Sequence, residues 1–390
     1  MKFKIDKKAL ETVFALLMKV TDHSREKKMK AELAKGKLRL SATDMTNTLQ
    51  MGVSCASEDE GSFFLDAPRF WLMLKELPDG PVTITLDPPT LEMDWELGKC
   101  RFALEKYEDF PPLPALNTDP EKPVHTLDLD SSIISAIKAS VAPATSDVID
   151  DIRPIFNGLF FNVDGSSVTV VGTDGQMLLT YTDAVTLPQD EKYSFLIPKA
   201  TIDILSAICS SAKQKEQEKV TIQTDGKTFI CSGDGYQLTS RCISQAYPAY
   251  QTIMAVTGNT LRIPREDLLK TVRRTAALTS AQEEKDTVVF SITGGISPSI
   301  KIEAQNILDF ATVQETFPCE WDGEDIRIGF KIRRLVKILK CTDAEKVTLS
   351  ISAANKPVIF APENDDHIKG MIMPAPVKEF IEPPKRGKKK

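Results

Sequence analysis

The sequence contains no apolar run close to the roughly 20 residues that a transmembrane helix requires. Its first residues lack the apolar core and the small-residue cleavage site of a secretory signal peptide. We therefore expect no membrane partner and a cytoplasmic location. The 7 cysteines are dispersed and include no CxxC pair, a pattern that favours free thiols over disulfides or a zinc site.

Motifs of catalysis are also missing from the sequence. The chain has only 3 histidines, at unrelated positions, and it contains no HExxH or GxSxG motif. The string Gly226-Lys227-Thr228 lacks the earlier glycine of a phosphate-binding loop, because Thr221 occupies that position. We therefore expect no catalytic residue, no bound cofactor and no metal ion.

A pattern that recurs about every 130 residues organises the chain. Segments 37–55, 167–185 and 299–317 resemble one another and read as two strands joined by a turn. Each repeat also begins with a strand that continues into an amphipathic helix, and it contains a second helix before further strands. The pattern predicts an α+β fold of three similar domains, each with two helices and antiparallel sheets. The predicted domains span residues 1–122, 123–257 and 258–377, followed by a basic tail at 378–390 that we expect to be disordered.

The turn at 172–175 contains glycine and aspartate and raises the question of a phosphate or catalytic site. A phosphate loop opens a helix, whereas strand-forming residues follow this turn. Asp44, Asp174 and Asn306 occupy one position in the repeat, and Asp or Asn favours a turn by bonding its own backbone. We therefore predict a hairpin turn at Asp174 rather than a catalytic acid.

Positive charge is concentrated on the two predicted helices of the third repeat, at 265–278 and 331–341. On each helix the basic residues lie opposite an apolar stripe, which in the second helix comprises Ile332, Leu335, Val336 and Leu339. Two interpretations stay open, a solvated helix face or a surface that contacts phosphates without reading base sequence. No aromatic residues accompany the charges, so base stacking is not indicated. The candidate DNA-binding residues are Arg25, Lys138, Lys199, Lys270, Arg273, Arg274, Arg333, Lys337 and Lys340.

Segments 150–165, 170–178, 246–254 and 371–376 resemble, in order and spacing, motifs of the bacterial sliding clamp, the beta subunit of DNA polymerase III. The resemblance extends from residue 1 to about 377 and includes the triplication. It implies the DNA-clamp fold, with helices on the inner face, sheets on the outer face, and two chains joined head to tail as a homodimeric ring. It also implies a non-catalytic processivity factor for DNA replication, which encircles double-stranded DNA at the nucleoid.

The resemblance further implies a pocket that binds short peptide motifs of the DNA polymerase, the clamp loader and repair proteins. From the residues alone, these positions are more typical of a buried core than of a binding pocket. The matching pocket positions are Phe156, Thr173, Gly175, Gln176, Met177, Leu178, Pro248, Ile253, Met371, Ile372, Met373 and Pro374. The positions that match the dimer interface are Phe102, Leu104 and Leu278.

The sequence departs from the family pattern around the implied pocket. Gln176-Met177 replaces the usual His-Arg, Ala249 replaces an aspartate, and Ala375-Pro376 replaces Met-Arg. These differences imply a partner preference unlike that of familiar clamps. An accessory DNA-encircling protein or a protein-binding scaffold with altered partners remains the alternative. The basic tail is open to two interpretations, additional phosphate contacts or an inert solubilising end.

Overall fold

The computed structural model describes residues 1–104, 110–119, 123–146, 152–187, 191–211, 219–279, 287–305, 311–377 and 379, with the side chains of 278 and 279 excepted. Three features discussed above therefore lie outside the described part of the chain. These are Asn306, the side chain of Leu278 and, except for residue 379, the tail after 377.

The helices of the described chain confirm the predicted pair in each repeat and add one short helix. They are α1 (Lys7–Thr21), α2 (Ala67–Leu74), α3 (Ser131–Ser140), α4 (Lys199–Ser211), α5 (Tyr250–Met254), α6 (Arg265–Thr279) and α7 (Ile332–Leu339). In two of them the first turn is capped by an aspartate, since Asp6 accepts from Ala9 N and Asp66 accepts from Arg69 N. None of the described helices is both long and apolar enough to cross a membrane.

The strands are short and follow one another through tight turns. They are β1 (Lys2–Asp6), β2 (Lys28–Ala34), β3 (Lys37–Thr43), β4 (Asn47–Ser54), β5 (Gly61–Asp66), β6 (Pro81–Asp87), β7 (Thr90–Trp95), β8 (Gly98–Ala103), β9 (His125–Asp130), β10 (Gly158–Asp164), β11 (Ser167–Thr173), β12 (Met177–Ala184), β13 (Lys192–Pro198), β14 (Lys219–Thr224), β15 (Thr228–Gly233), β16 (Tyr236–Arg241), β17 (Asn259–Pro264), β18 (Thr287–Thr293), β19 (Ser299–Gln305), β20 (Thr312–Pro318), β21 (Glu320–Trp321), β22 (Ile326–Lys331), β23 (Lys346–Ile351), β24 (Val358–Pro362) and β25 (Ile368–Ile372).

The chain forms two compact units. Unit 1 comprises Met1–Ser135, Val185–Pro188 and Tyr193–Ser244, and unit 2 comprises Ala136–Ala184, Gln189–Lys192 and Gln245–Lys390. The division into three domains at 122 and 257 remains a prediction, because the middle repeat contributes residues to both units.

Unit 1 contains two antiparallel sheets, in the orders β1-β6-β7-β8 and β5-β2-β3-β4-β16-β15-β14-β9. Side chains alternate across each sheet, so that every second residue of β2 is buried while its neighbours are more exposed. Helices α1 and α2 pack together, and the rings of Phe14 and Phe70 stack with their centroids 5.1 Å apart. The hydrophobic core of unit 1 therefore lies between its helices and one face of its sheets.

Unit 2 repeats this arrangement with sheets that include β10-β11-β12-β25-β24-β23-β17-β21 and β20-β19-β18-β22. Helices α6 and α7 pack against each other. The predicted apolar stripe of α7 needs one correction, because Ile338 is fully buried whereas Val336 is half-buried. Ile338 is drawn inward because its Cδ1 lies against Gly370 of β25, where an added Cβ would come within 3.0 Å.

Candidate functional site

A hairpin turn joins β11 to β12 in unit 2, and its hydrogen bonds explain its sequence. The Thr173 hydroxyl donates to the Met177 carbonyl oxygen at 2.6 Å. Asp174 Oδ1 accepts from the backbone N–H groups of Gln176 at 2.9 Å and Met177 at 2.7 Å. The prediction of a turn at Asp174 is therefore confirmed. The same bonds recur in unit 1 at Thr43-Asp44 and Thr224-Asp225.

Two separate features of this turn favour glycine at position 175. Its φ of +83° lies in the left-handed region that residues with a Cβ rarely adopt. A Cβ at this position would also lie 2.9 Å from Cζ of Phe156, which packs over the turn. The equivalent Gly226 in unit 1 has a φ of +80° but open space around its missing Cβ. The left-handed backbone is therefore shared, and Met45 adopts it with a φ of +75° in the corresponding turn between β3 and β4, so the contact with Phe156 is what distinguishes Gly175.

We expect Gly175→Ala to destabilise the protein by about 2–4 kcal/mol, because left-handed strain and displacement of Phe156 add together. Gly226→Ala is the matched control and should cost only the strain, about 1–2 kcal/mol. Thermal unfolding of the two variants measures the difference. Equal destabilisation would show that Phe156 moves away without cost.

Apolar side chains from five adjacent strands, β10, β11, β12, β25 and β24, share one face of the large sheet in unit 2. Cross-strand pairs set this alignment, with Phe160 opposite Val171, Leu178 opposite Met371, and Met371 opposite Ile359. Thr173 of β11 lies opposite Leu178 of β12, and this pair joins the side chains on β10 and β11 to those on β12, β25 and β24. We call this row of apolar side chains the groove floor.

Aromatic and methionine side chains pack against the groove floor. The rings of Phe160 and Tyr247 stack in parallel with centroids 4.4 Å apart, and Tyr250 meets both rings edge-on. Met254 and Met373 join the same apolar cluster. Burial raises the pKa of Tyr247 and of Tyr250, so both rings stay uncharged at neutral pH. The surface around the floor is therefore neutral and contains flexible methionine side chains.

Two of the predicted pocket residues lie on the opposite face of the sheet. Met177 and Ile372 are register partners, and each is adjacent in sequence to a floor residue. Because side chains alternate along a strand, both point away from the floor, and both are fully buried. We therefore assign Met177 and Ile372 to the core beneath the sheet rather than to the groove floor.

The remaining predicted pocket residues border the floor or lie on its accessible side. Gln176 is exposed, and its carbonyl oxygen accepts from Met373 N at 2.8 Å. Pro248 is exposed just before α5, Ile253 is 37% exposed on α5, and Pro374 is half-buried. Sequence reasoning missed six residues of this cluster, although the alternation of β10 and the tyrosines around Pro248 were visible signals. These residues are Phe160, Val171, Tyr247, Tyr250, Met254 and Ile359.

Arginine side chains lie at the end of the groove near Phe156. Arg334, in the first turn of α7, forms an ion pair in which Nε is 2.7 Å from Oδ2 of Asp174. The guanidinium carbon of Arg153 lies 4.9 Å from the centroid of the Phe156 ring. The pair of Arg334 and Asp174 could not be predicted from the sequence, because its two partners are far apart along the chain.

Most of the predicted DNA-binding residues on or directly after α6 and α7 have exposed side chains. Arg273 is exposed on α6, Arg333 is exposed on α7, and Lys340 is exposed directly after α7. Lys270 is also exposed, with its Nζ 3.7 Å from Glu266, and Lys337 is half-buried. Since the two helices pack together within unit 2, these five residues belong to one structural element.

Arg274, also in the predicted DNA-binding set, is exposed and is paired with an acidic residue. Its guanidinium binds both carboxylate oxygens of Glu315 on β20, and its Nη2 donates to the Thr271 hydroxyl at 3.0 Å. The hydrogen bonds from Arg274 and Thr271 lower the pKa of Glu315 despite its partial burial. The ion pair therefore links α6 to β20, and Glu315 compensates the charge of Arg274 within the protein.

The other predicted DNA-binding residues lie apart from α6 and α7 in the sequence. Arg25 is exposed in the segment between α1 and β2, whereas Lys138 on α3 and Lys199 at the start of α4 are half-buried. Among the described residues, no group of three or more His, Cys, Asp and Glu side chains is placed to hold a metal ion.

The predicted interface residues Phe102 and Leu104 are half-buried at an edge of unit 1. Phe102 belongs to β8, the last strand of its sheet, and its ring centroid lies 6.2 Å from that of Phe70. Leu104 N donates to the Pro89 carbonyl oxygen at 2.7 Å. Both residues line a cavity of ≈ 180 Å³ together with Leu65 and Leu91.

Comparison with known proteins gives one consistent result. Residues 130–249 match the central domain, and residues 256–376 the C-terminal domain, of the DNA polymerase III beta subunit. The beta sliding clamp of Synechocystis sp. is 24% identical over 365 residues, covering 89% of this chain and 90% of that protein. The DNA polymerase III subunit beta of Pseudomonas aeruginosa has the same fold, with a TM-score of 0.87 and 20% identity over 97% of this chain and 100% of that one. A sliding clamp of the same organism bound to griselimycin superposes with a TM-score of 0.84, at 20% identity and with the same coverage. The chain therefore belongs to the DNA polymerase III beta subunit family, the beta sliding clamps, which are non-catalytic.

Proposed function

We propose that this chain is a sliding clamp that encircles duplex DNA without sequence preference and tethers a replicative DNA polymerase to it. Membership of the beta sliding clamp family, which extends over both units, carries the proposal. The matched regions 130–249 and 256–376 also support three clamp domains at 1–122, 123–257 and 258–377. In this role the protein acts on DNA in the bacterial cytoplasm.

The exposed cations of α6 and α7 suit a contact with the phosphate backbone. Arg273, Arg333 and Lys340 project into solvent from helices that carry no exposed aromatic residue. Such charges attract phosphates at any base sequence, and their attraction weakens as salt concentration rises. Long retention on DNA therefore requires a topological link, which a closed ring supplies.

Two edge strands support closure of the ring by a second copy of the chain. β8 ends a sheet of unit 1 and β20 ends a sheet of unit 2, so each has one side without a partner strand among the described residues. An exposed strand edge presents unpaired backbone N–H and C=O groups, which a matching strand can satisfy. Head-to-tail pairing of β8 with β20 of another copy, with Phe102 and Leu104 nearby, closes after two chains as a homodimer.

The groove floor and the residues around it support binding of short apolar peptides. The floor is a row of Phe, Val, Leu, Met and Ile side chains, and methionines at its border can adapt to different ligands. An apolar peptide gains affinity there by covering the partly exposed side chains around the floor, such as Tyr247, Ile253 and Met373. We assign this groove to peptide segments of the polymerase, the clamp loader and repair proteins.

Retention on DNA of defined topology tests the ring. A fluorescently labelled chain is loaded onto a nicked plasmid by its own clamp loader and separated from free protein by gel filtration at several salt concentrations. We expect it to elute with the circular plasmid and to be released once a restriction enzyme cuts the plasmid at a single site. A heat-inactivated restriction enzyme is the control. Retention that is unchanged by cutting would indicate a surface-binding scaffold instead.

A further inference from the structure

Arg334 lies where two segments that border the groove meet. Its Nε is 2.7 Å from Oδ2 of Asp174, in the turn between β11 and β12. On the other side, α7 follows directly after β22, and Gly329 of that strand accepts a hydrogen bond at 2.7 Å from Ala375 N. The first turn of α7 therefore adjoins both the Asp174 turn and the segment that follows Met373.

A backbone hydrogen bond also joins the Asp174 turn to the segment around Met373. Met373 N donates to the carbonyl oxygen of Gln176 at 2.8 Å, immediately after the Asp174 turn. Phe156 packs on the same turn at Gly175. Through Asp174, Arg334 therefore adjoins the Phe156 end of the groove, one turn away from the apolar cluster that contains Leu178, Met371 and Met373.

The guanidinium group of Arg334 keeps hydrogen-bonding capacity after its contact with Asp174. Arginine has five N–H donors, and within the described part of the chain Arg334 bonds only through Nε. Its side chain is 29% exposed, so its terminal amino groups are neither enclosed nor fully solvated. The two terminal nitrogens form a planar fork that matches a carboxylate.

Asp174 holds Arg334 in position and is itself held by the turn. Its Oδ1 accepts from Gln176 N and Met177 N, and its Oδ2 accepts from Arg334, so both oxygens have partners. An incoming carboxylate can thus bind the terminal nitrogens of Arg334 while Nε stays on Asp174. A positioned arginine loses less conformational freedom on binding than a freely rotating one.

From this geometry we propose that Arg334 selects, among apolar peptides that enter the groove, those with an Asp or Glu beside their apolar residues. This inference rests on the proposed peptide-binding function and specifies the chemistry of the partner. A charge-assisted, partly desolvated contact of this kind raises affinity by about tenfold.

Calorimetry on the full-length chain with matched synthetic peptides tests the proposal. The peptides share a Leu-Leu-Phe segment and carry Glu or Gln either directly before or directly after it. We expect the wild-type chain to bind at least one Glu peptide about tenfold more tightly than its Gln counterpart. Arg334→Gln should remove this preference and leave the affinity for the Gln peptide unchanged, and Arg334→Lys should restore part of it. Arg327→Gln, an exposed arginine of the same unit outside the groove and the DNA-binding set, should keep the full preference.

The outcomes separate this inference from the proposed function. If the Gln and Glu peptides bind to the wild-type chain with equal affinity, the groove binds peptides as proposed, but the selectivity of Arg334 is refuted. If Arg334→Gln weakens both peptides equally, Arg334 acts only by holding the Asp174 turn, and the proposal is again refuted. If neither peptide binds, the proposed groove itself fails, and the inference fails with it.

Discussion

Replacing Leu178 and Met373 together by alanine is expected to lower the affinity for apolar peptides about a hundredfold. Each residue contributes apolar surface around the groove, and losing about 1.5 kcal/mol of contact at each amounts to about 3 kcal/mol. Calorimetry with the Leu-Leu-Phe peptides measures the loss. Because Leu178 is almost fully buried, circular dichroism must first show that the double variant is folded at the assay temperature.

Met177→Ala is the matched control for this experiment. Met177 precedes Leu178 in β12 but faces the other side of the sheet and is fully buried. We expect its replacement to destabilise the protein by about 2–5 kcal/mol and to leave peptide affinity nearly unchanged. Loss of peptide binding in Met177→Ala, or normal binding in the Leu178 and Met373 double variant, would place the peptide site elsewhere.

Charge reversal of Arg273, Arg333 and Lys340 to glutamate is expected to remove most of the salt-dependent attraction to DNA. Each phosphate contact contributes about 0.9 to the slope of log affinity against log salt concentration, so losing three contacts lowers the slope by roughly 2.7. The three side chains are exposed, so the fold should be retained. Equilibrium binding to a short duplex at several salt concentrations measures the slope.

A control with the same change in net charge separates a local contact from a general electrostatic effect. Arg327, Lys356 and Lys369 are exposed elsewhere in unit 2, and their reversal to glutamate alters the net charge equally. We expect this control to change the slope by less than 1. Equal slopes for the two triple variants would mean that α6 and α7 do not form the DNA contact.

Local features of this protein could be predicted from its sequence because their causes lie within a few residues. The turn at Asp174 depends on bonds to residues two and three positions ahead, and the six principal helices follow from their apolar periodicity. The repeat strengthened these predictions, because each predicted helix or strand had to agree with the corresponding segments of the other two repeats.

Features that depend on distant partners could not be predicted in this way. Helical periodicity placed Arg274 correctly on an exposed surface but could not show that Glu315, 41 residues further along the chain, binds it. The pair of Arg334 and Asp174 joins residues separated by 160 positions. The position of the Met177 side chain on the buried face of the sheet could not be predicted for a different reason, because resemblance identifies a position but does not fix which side of a strand its side chain occupies.

The cross-strand register of β12 has a consequence for how this groove can evolve. Inserting or deleting one residue within β12 would shift the rest of the strand by half a pleat and exchange Leu178 for a neighbour that now fills the interior. Length changes within this strand therefore disrupt the groove floor. Descendants of this gene can acquire new binding preferences only by replacing side chains one for one, or by lengthening segments remote from the hairpin.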